Sequence, residues 1–162
     1  MIELIQQRLN NYFINEDKNP FNLVMLSIIN NPDSFVCEFY KHILNESHKF
    51  LLADIFSMAY LSIRNIYDLP CLNNIQYREK KPTAISLYGE SISILGSVSL
   101  IIEITNELLK IVPKHYPKLI DIIPDIVISL NNVVIKPFNP NNMDIIKNNM
   151  LIEYNGILKR LS

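Results

Sequence analysis

Residues 67–100 read YDLPCLNNIQYREKKPTAISLYGESISILGSVSL. The segment starts where an apolar helical pattern ends, crosses a polar turn, and enters the most apolar run of the chain. Pro70 blocks continuation of the helix before it, because proline has no N–H and its ring clashes with the preceding turn. Pro82-Thr83 opens the next helix, with Thr83 as a plausible N-cap whose hydroxyl takes an N–H of the first turn. That helix is expected over 83–112. Its middle is apolar nearly all round, which predicts a central, buried position. Ser91, Ser93, Gly96, Ser97 and Ser99 supply small residues that let neighbouring helices approach closely.

Outward from this segment the pattern stays helical. Ile2, Ile5, Leu9, Phe13 and Ile14 stand at helical spacing over 2–14, and 15–20 (NEDKNP) reads as a turn. A second helix is expected over 22–30, stopped by Asn30-Asn31-Pro32. Asp33 or Ser34 caps a third, whose inner side carries Phe35, Val36, Phe39, Tyr40, Ile43 and Leu44. After 45–47 a long helix runs over 48–68. Beyond Pro113 and Pro117, which bracket a turn, a helix is expected over 119–130, kinked by Pro124 unless that residue lies in the first turn. A loop follows over 131–142 and a last amphipathic helix over 143–161. No segment alternates long enough to demand a strand, although Val133-Val134-Ile135 is ambiguous. The expected architecture is all-α: one domain over 1–162, a single helical bundle of six to seven helices.

The bulk numbers narrow the function classes. With 162 residues, 49% hydrophobic and 19% charged, the chain can bury a core without metal or disulfide staples. A net charge of −1 offers no basic field for nucleic acid or an anionic membrane. The longest uncharged stretch, 91–102, is shorter than the ~20 residues that span a bilayer. The N-terminus lacks the basic-then-apolar order of a secretory signal, so a soluble protein is expected. Cys37 and Cys71 form no zinc pattern and are read as free, buried or half-buried thiols.

From Asp68 onward the chain resembles the trans-isoprenyl diphosphate synthases, the polyprenyl synthetase family that includes farnesyl and geranylgeranyl diphosphate synthases. Their first aspartate-rich motif commonly reads Asp-Asp-Leu-Pro-x-Met-Asp-x-Asp-Asp-x-Arg-Arg-Gly-x-Pro-Thr, followed by Tyr/Phe-Gly-Glu. Here Asp68-Leu69-Pro70-Cys71, Arg78, Lys81-Pro82-Thr83, Tyr88-Gly89-Glu90 and Leu95 follow that frame without gaps. Residues 53–67 resemble the helix leading into the motif. Asn131-Asn132-Val133-Val134 falls where the family has Gly-Gln-x-x-Asp, and 154–158 (YNGIL) where it has Lys-Thr-Gly/Ala-x-Leu. The resemblance implies the N-terminal half of the isoprenoid synthase fold, with the second aspartate-rich motif falling beyond Ser162.

The resemblance also implies a chemistry that these residues match poorly. Family members ionise an allylic diphosphate and let isopentenyl diphosphate attack the cation. Mg²⁺ ions held by two carboxylate clusters neutralise the departing diphosphate, since magnesium takes hard oxygen ligands. In this chain Tyr67, Asn73, Ile75 and Gln76 stand where the family has carboxylates, and Asp68 alone remains. Arg78 matches the first arginine after the motif, but Glu79 reverses the charge of the second. Asn30-Asn31-Pro32-Asp33-Ser34 replaces a lysine- and arginine-bearing stretch, Tyr154 a lysine, and Tyr60 a histidine or glutamine that helps bind isopentenyl diphosphate.

The expectation is therefore a degenerate, non-catalytic relative with no catalytic residue, no metal ligand set and no cofactor. Asp68 and Arg78 remain as vestigial substrate-binding residues on a turn facing a cavity between long antiparallel helices, with Tyr67 and Gln76 on its rim. Their bland alternative is structural: backbone hydrogen bonds for Asp68 at a helix end, a neighbouring glutamate for Arg78. The expected role is an accessory subunit, homo- or hetero-oligomeric through its helices, with an intact prenyl synthase as a candidate partner. Two rivals stand beside it: an active prenyltransferase completed by a partner chain, and an unrelated helical interaction protein. Asp121 and Asp125, one helical turn apart, read as surface carboxylates rather than a metal pair. His42, His48 and His115, and the basic turn 114–118, read as ordinary surface or core groups.

Overall fold

A helix surrounded on every side must satisfy all its side chains from within the protein, and helix α3 (Ser47–Tyr67) is in that position. Every residue from 51 to 65 is buried. The computed structural model describes residues 1–13, 21–41, 43, 47–115, 120–121, 123–126, 128 and 143–161. Around α3 pack α1 (Ile2–Asn11), α2 (Asn22–Ile29), a 3-10 helix (Ser34–Tyr40), α5 (Glu90–His115) and α6 (Met143–Leu161). The short α4 (Ala84–Tyr88) precedes α5 and packs against it and against α2. Apart from one antiparallel pair, β1 (Tyr77–Arg78) with β2 (Lys81–Pro82), the described elements are helical, as the sequence pattern requires.

The core is aromatic at its centre. Phe35 lies 4.6 Å from the Tyr60 ring and 5.3 Å from Phe39, and Tyr154 of α6 closes on Phe39 and Phe56 at 5.1 and 5.2 Å. Edge-on and tilted ring pairs of this kind add about 0.5–1.5 kcal/mol each beyond the area they bury. Tyr154 also donates its hydroxyl to the Phe39 carbonyl, so α6 is pinned to the 3-10 helix by packing and by a hydrogen bond.

Several elements depart from the sequence reading. The third helix is 3-10, although Asp33 caps it as expected, its carboxylate accepting the Phe35 N–H at 3.0 Å. The helix expected over 83–112 is two helices. Thr83 caps α4, its hydroxyl accepting the Ser86 N–H, and the break falls at Gly89, whose φ of +80° suits a residue without Cβ. α5 then runs past Val112 and through Pro113 to His115; in a last turn, a missing N–H costs only one helical bond.

More consequentially, α5 is not central. Ser93, Gly96, Ser97, Leu100, Ile104 and Val112 are buried, while its opposite side is exposed. Apolar composition makes a helix central only when enough elements exist to surround it, and here those elements surround α3. The unexpected hairpin turns through Glu79 and Lys80, with φ of 47° and 68°. That is the primed-turn geometry usually signalled by Asn-Gly, so this sequence carried no cue for it. Cys71 is exposed and Cys37 half-buried, both free. The turns at 15–20 and 45–46, His42, most of the expected helix over 119–130 and the loop over 131–142 lie outside the described residues, as do Tyr116 and Pro117.

Gly96 marks a close approach of α5 to α2. A Cβ there would lie 2.4 Å from Val24 Cγ1 and 3.1 Å from Val24 Cβ, so α2 itself would have to shift. Gly96→Ala is expected to lower stability by about 1–3 kcal/mol in chemical denaturation. Val24→Ala should restore part of the loss when the two are combined. An unchanged midpoint for Gly96→Ala would contradict this packing.

Candidate functional site

Asp68 follows α3 directly, its N–H still bonded to the Arg64 carbonyl at 3.0 Å, and it is buried. Arg78 reaches it from β1 with two parallel bonds, Nε to Oδ2 at 2.8 Å and Nη2 to Oδ1 at 2.5 Å. The intervening turn is held closed by its own backbone. The Ile75 N–H bonds the Asp68 carbonyl, the Thr83 N–H bonds the Gln76 carbonyl, and the Thr83 hydroxyl donates to the Ile75 carbonyl. Tyr67, Asn73 and Gln76 serve the same turn: Asn73 donates to the Tyr67 carbonyl and Gln76 to the Asn74 side chain. Asp68 and Arg78 are thus each other's partner, and Arg78 pairs with this aspartate rather than with a glutamate. The bond to Asp68 raises the Arg78 pKa further, against the opposing effect of burial.

A second pair lies beside the first. Arg64, buried in α3, sends Nη2 to the Asn31 carbonyl, and its Nη1 sits 3.3 Å from Asp33 Oδ2, an ion pair without hydrogen-bond alignment. The same Asp33 oxygen accepts the Tyr60 hydroxyl at 2.6 Å. Tyr60 therefore has a structural partner, and burial together with the Asp33 charge raises its pKa.

Asn31, Asp33, Arg64, Ile75, Arg78 and Glu79 are among the residues lining a cavity of about 370 Å³. It lies between the turn after α2 and the hairpin, and Tyr67, Asp68 and Gln76 do not line it. Asp68 instead lines a small cavity of about 10 Å³ with Ser27 and Ile28 of α2 and Leu61 and Asn65 of α3, and neither Tyr67 nor Gln76 lines that one. Two carboxylates and two guanidinium groups line the larger cavity, and each guanidinium is already paired with an acid. A magnesium ion does not fit this donor set. Asp68 has both oxygens committed to Arg78, and the turn from Tyr67 to Arg78 offers no second carboxylate. Among the described residues, no three His, Cys, Asp or Glu side chains gather as a metal-binding group. Asp125 pairs with Arg160, so it is a partnered surface carboxylate.

A third network went unnoticed in the sequence. Asp54 is fully buried in α3 and accepts four side-chain bonds: Arg8 Nε and Nη2 at 3.2 and 2.7 Å, and the hydroxyls of Tyr12 and Tyr40 at 2.8 and 2.7 Å. It ties α1 and the 3-10 helix to α3, beside a cavity of about 210 Å³ lined by Arg8, Asn11, Tyr12 and Asp54. The available signal was a charge inside a run of apolar residues, LLADIFSMAYLSIRN, where Asp54 and Arg64 demand partners once the helix is buried.

Superposed on known structures, the chain matches the crystal structure of an isoprenoid synthase family member from Thermotoga neapolitana. The TM-score is 0.56 at 14% identity, covering 98% of this chain and 79% of that one. At such identity the likeness is one of fold, and the class this architecture defines is the isoprenoid synthase-like all-α fold. No protein-family model matches the sequence, and a search of curated proteins finds no match. No helix among the described residues is long and apolar enough to cross a membrane.

Two measurements test these networks. Arg78→Ala leaves Asp68 buried without its counter-ion and should cost about 2–4 kcal/mol of stability. Arg78→Lys should recover only part, since an ammonium cannot make two parallel bonds; equal stability of Arg78→Ala and the native chain would show the pair to be idle. Separately, burial raises the pKa of Tyr40, Tyr60 and Tyr154 above the ordinary tyrosine value. Below about pH 10 these tyrosines are neutral in both states; above it the unfolded chain loses protons that the folded chain keeps. Stability should therefore fall as pH rises past about 10, and replacing the three with Phe should flatten that slope.

Proposed function

We propose that this chain is a degenerate, non-catalytic relative of the polyprenyl synthetases, one helical domain serving as a partner subunit rather than as a prenyltransferase. The observation that carries the reading is the closed pair Asp68–Arg78. In the family the matching aspartates hold Mg²⁺ and the matching arginine holds diphosphate. Here the one aspartate and the one arginine left in the frame neutralise each other, and Glu79 adds a negative charge at the rim of the cavity. Releasing Asp68 for a metal would leave Arg78 unpaired. Releasing Arg78 for diphosphate would strand a buried carboxylate, at a cost of several kcal/mol.

The fold likeness and the matched frame around Pro70, Pro82 and Gly89 support the ancestry part of this reading. The partner-subunit part is supported by the exposed apolar side of α5, where Leu95, Val98 and Ile102 are each close to half exposed. A bound intact prenyl synthase and a second copy of the chain are the two occupants this reading admits.

The test is direct. The purified protein is titrated with Mg²⁺ and isopentenyl diphosphate in a calorimeter, then incubated with both plus an allylic diphosphate. Neither saturable heat nor a lengthened product is expected. Product that forms with the native chain, alone or with an added prenyl synthase deficient in its own first motif, and disappears with Asp68→Ala, would establish the enzyme reading instead.

A further inference from the structure

The cavity of about 370 Å³ beside the hairpin keeps unused polar groups after its ion pairs are formed. Its volume lies in the range of small-molecule pockets, about 300–1,000 Å³. A guanidinium carries N–H donors on all three nitrogens. Arg78 uses Nε and Nη2 on Asp68, and among the described residues its Nη1 has no hydrogen-bond partner. Asn31 is 8% exposed and lines the same cavity, and its side-chain amide likewise has no partner among the described residues. The third unused group is the Glu79 carboxylate. Successive residues of a strand point to opposite faces. The φ of 47° at Glu79 breaks that alternation, so Arg78 and Glu79, adjacent in the chain, both line the cavity. Pro32, Ile75 and Tyr77 add apolar wall.

We infer that this cavity binds a small zwitterion, an apolar α-amino acid. Its carboxylate lies on Arg78 Nη1 and the Asn31 amide, its ammonium on Glu79, and its side chain against Ile75 and Tyr77. Charge decides the class. Asp33 balances Arg64 and Asp68 balances Arg78, so no unbalanced positive charge is left for a bare anion, and Glu79 repels one. A simple cation would satisfy Glu79 but leave the donors of Arg78 and Asn31 without an acceptor inside the cavity, which is costly. An amino acid supplies both charges from one carbon atom, and neighbouring residues of opposite charge receive them through charge-assisted hydrogen bonds. Nothing has to open for it, since Nε and Nη2 stay on Asp68. The inference therefore rests on the same closed pair as the proposed function and gives the cavity a ligand of a different class from diphosphates.

Isothermal titration calorimetry of the full chain with leucine and with phenylalanine tests it. Saturable one-to-one heat is expected with at least one of them. Two analogues of each keep the side chain and lose one charge: isocaproate and isoamylamine for leucine, hydrocinnamate and phenethylamine for phenylalanine. Each analogue should bind about tenfold more weakly than its parent, or weaker still. Glu79→Gln should weaken the amino acid by about tenfold and leave the carboxylate analogue no weaker than before. Asn31→Ala should weaken the amino acid and the carboxylate analogue alike. Glu79 is exposed, so Glu79→Gln should keep the native denaturation midpoint.

Absence of saturable heat with both amino acids overturns the inference. So does a carboxylate analogue that matches its parent, or an affinity indifferent to Glu79→Gln. Inorganic diphosphate that saturates the cavity and displaces the amino acid would make it an anion site and overturn the inference as well. Turnover is read separately. Product formed from isoprenyl diphosphates would sink the proposed function whatever the amino acids do, while a chain inert toward both would sink this inference alone.

Discussion

Complete burial of α3 is the constraint on which the remaining structure depends. A helix buried from 51 to 65 exposes almost nothing to water, so its charged and amide groups need partners inside the protein. Asp54 finds Arg8, Tyr12 and Tyr40; Arg64 finds Asp33 and the Asn31 carbonyl; Asn65 donates to the Ser93 carbonyl and the Ser97 hydroxyl. Each bond fixes a neighbour: α1, the turn after α2, the 3-10 helix and α5. The polar groups of one helix thereby set the positions of most of the others. Apolar packing supplies the larger share of the free energy, and these directional bonds select a single arrangement among many that would bury similar area.

The same constraint explains the state of the candidate site. Asp68 sits at the end of that buried helix, where a lone carboxylate needs a cation, and Arg78 is the cation the hairpin delivers. In a diphosphate-processing site, acids are held apart from bases so that metal and substrate complete them. Here acids and bases complete each other. The sequence disclosed the ingredients of that outcome in a lone Asp68, with Tyr67, Asn73, Ile75 and Gln76 around it and the oppositely charged Arg78 ten residues on. It did not disclose the pairing, because nothing local to Asp68 or Arg78 specifies a hairpin with Glu79 and Lys80 at positive φ.

Enclosing α3 also leaves α5 incompletely covered. Among the described residues the elements that pack around α3 cover only one side of α5, so the most apolar helix in the sequence carries one face inward and one outward. Composition alone pointed to the wrong central helix. α5 has the longer uncharged run, whereas α3 contains Asp54 and Arg64 and reads as the less apolar of the two. Internal charge pairing reverses that order, and only contacts distant in sequence, such as Arg8 with Asp54, make it possible.

By itself the sequence determined the helical class, the stop at Pro70, and the caps at Asp33 and Thr83, and it showed one carboxylate, Asp68, in the stretch from Tyr67 to Arg78. These rest on short-range chemistry: periodicity, proline geometry, hydroxyl and carboxylate capping, and the identity of ligand atoms. Tertiary structure decided which helix lies at the centre, where the 83–112 pattern breaks, how Asp68 is neutralised and which side of α5 faces outward. Those depend on how many elements pack around each helix and on partners 10 to 46 residues away. No local pattern encodes them, because the free energy that fixes them appears only when the elements meet.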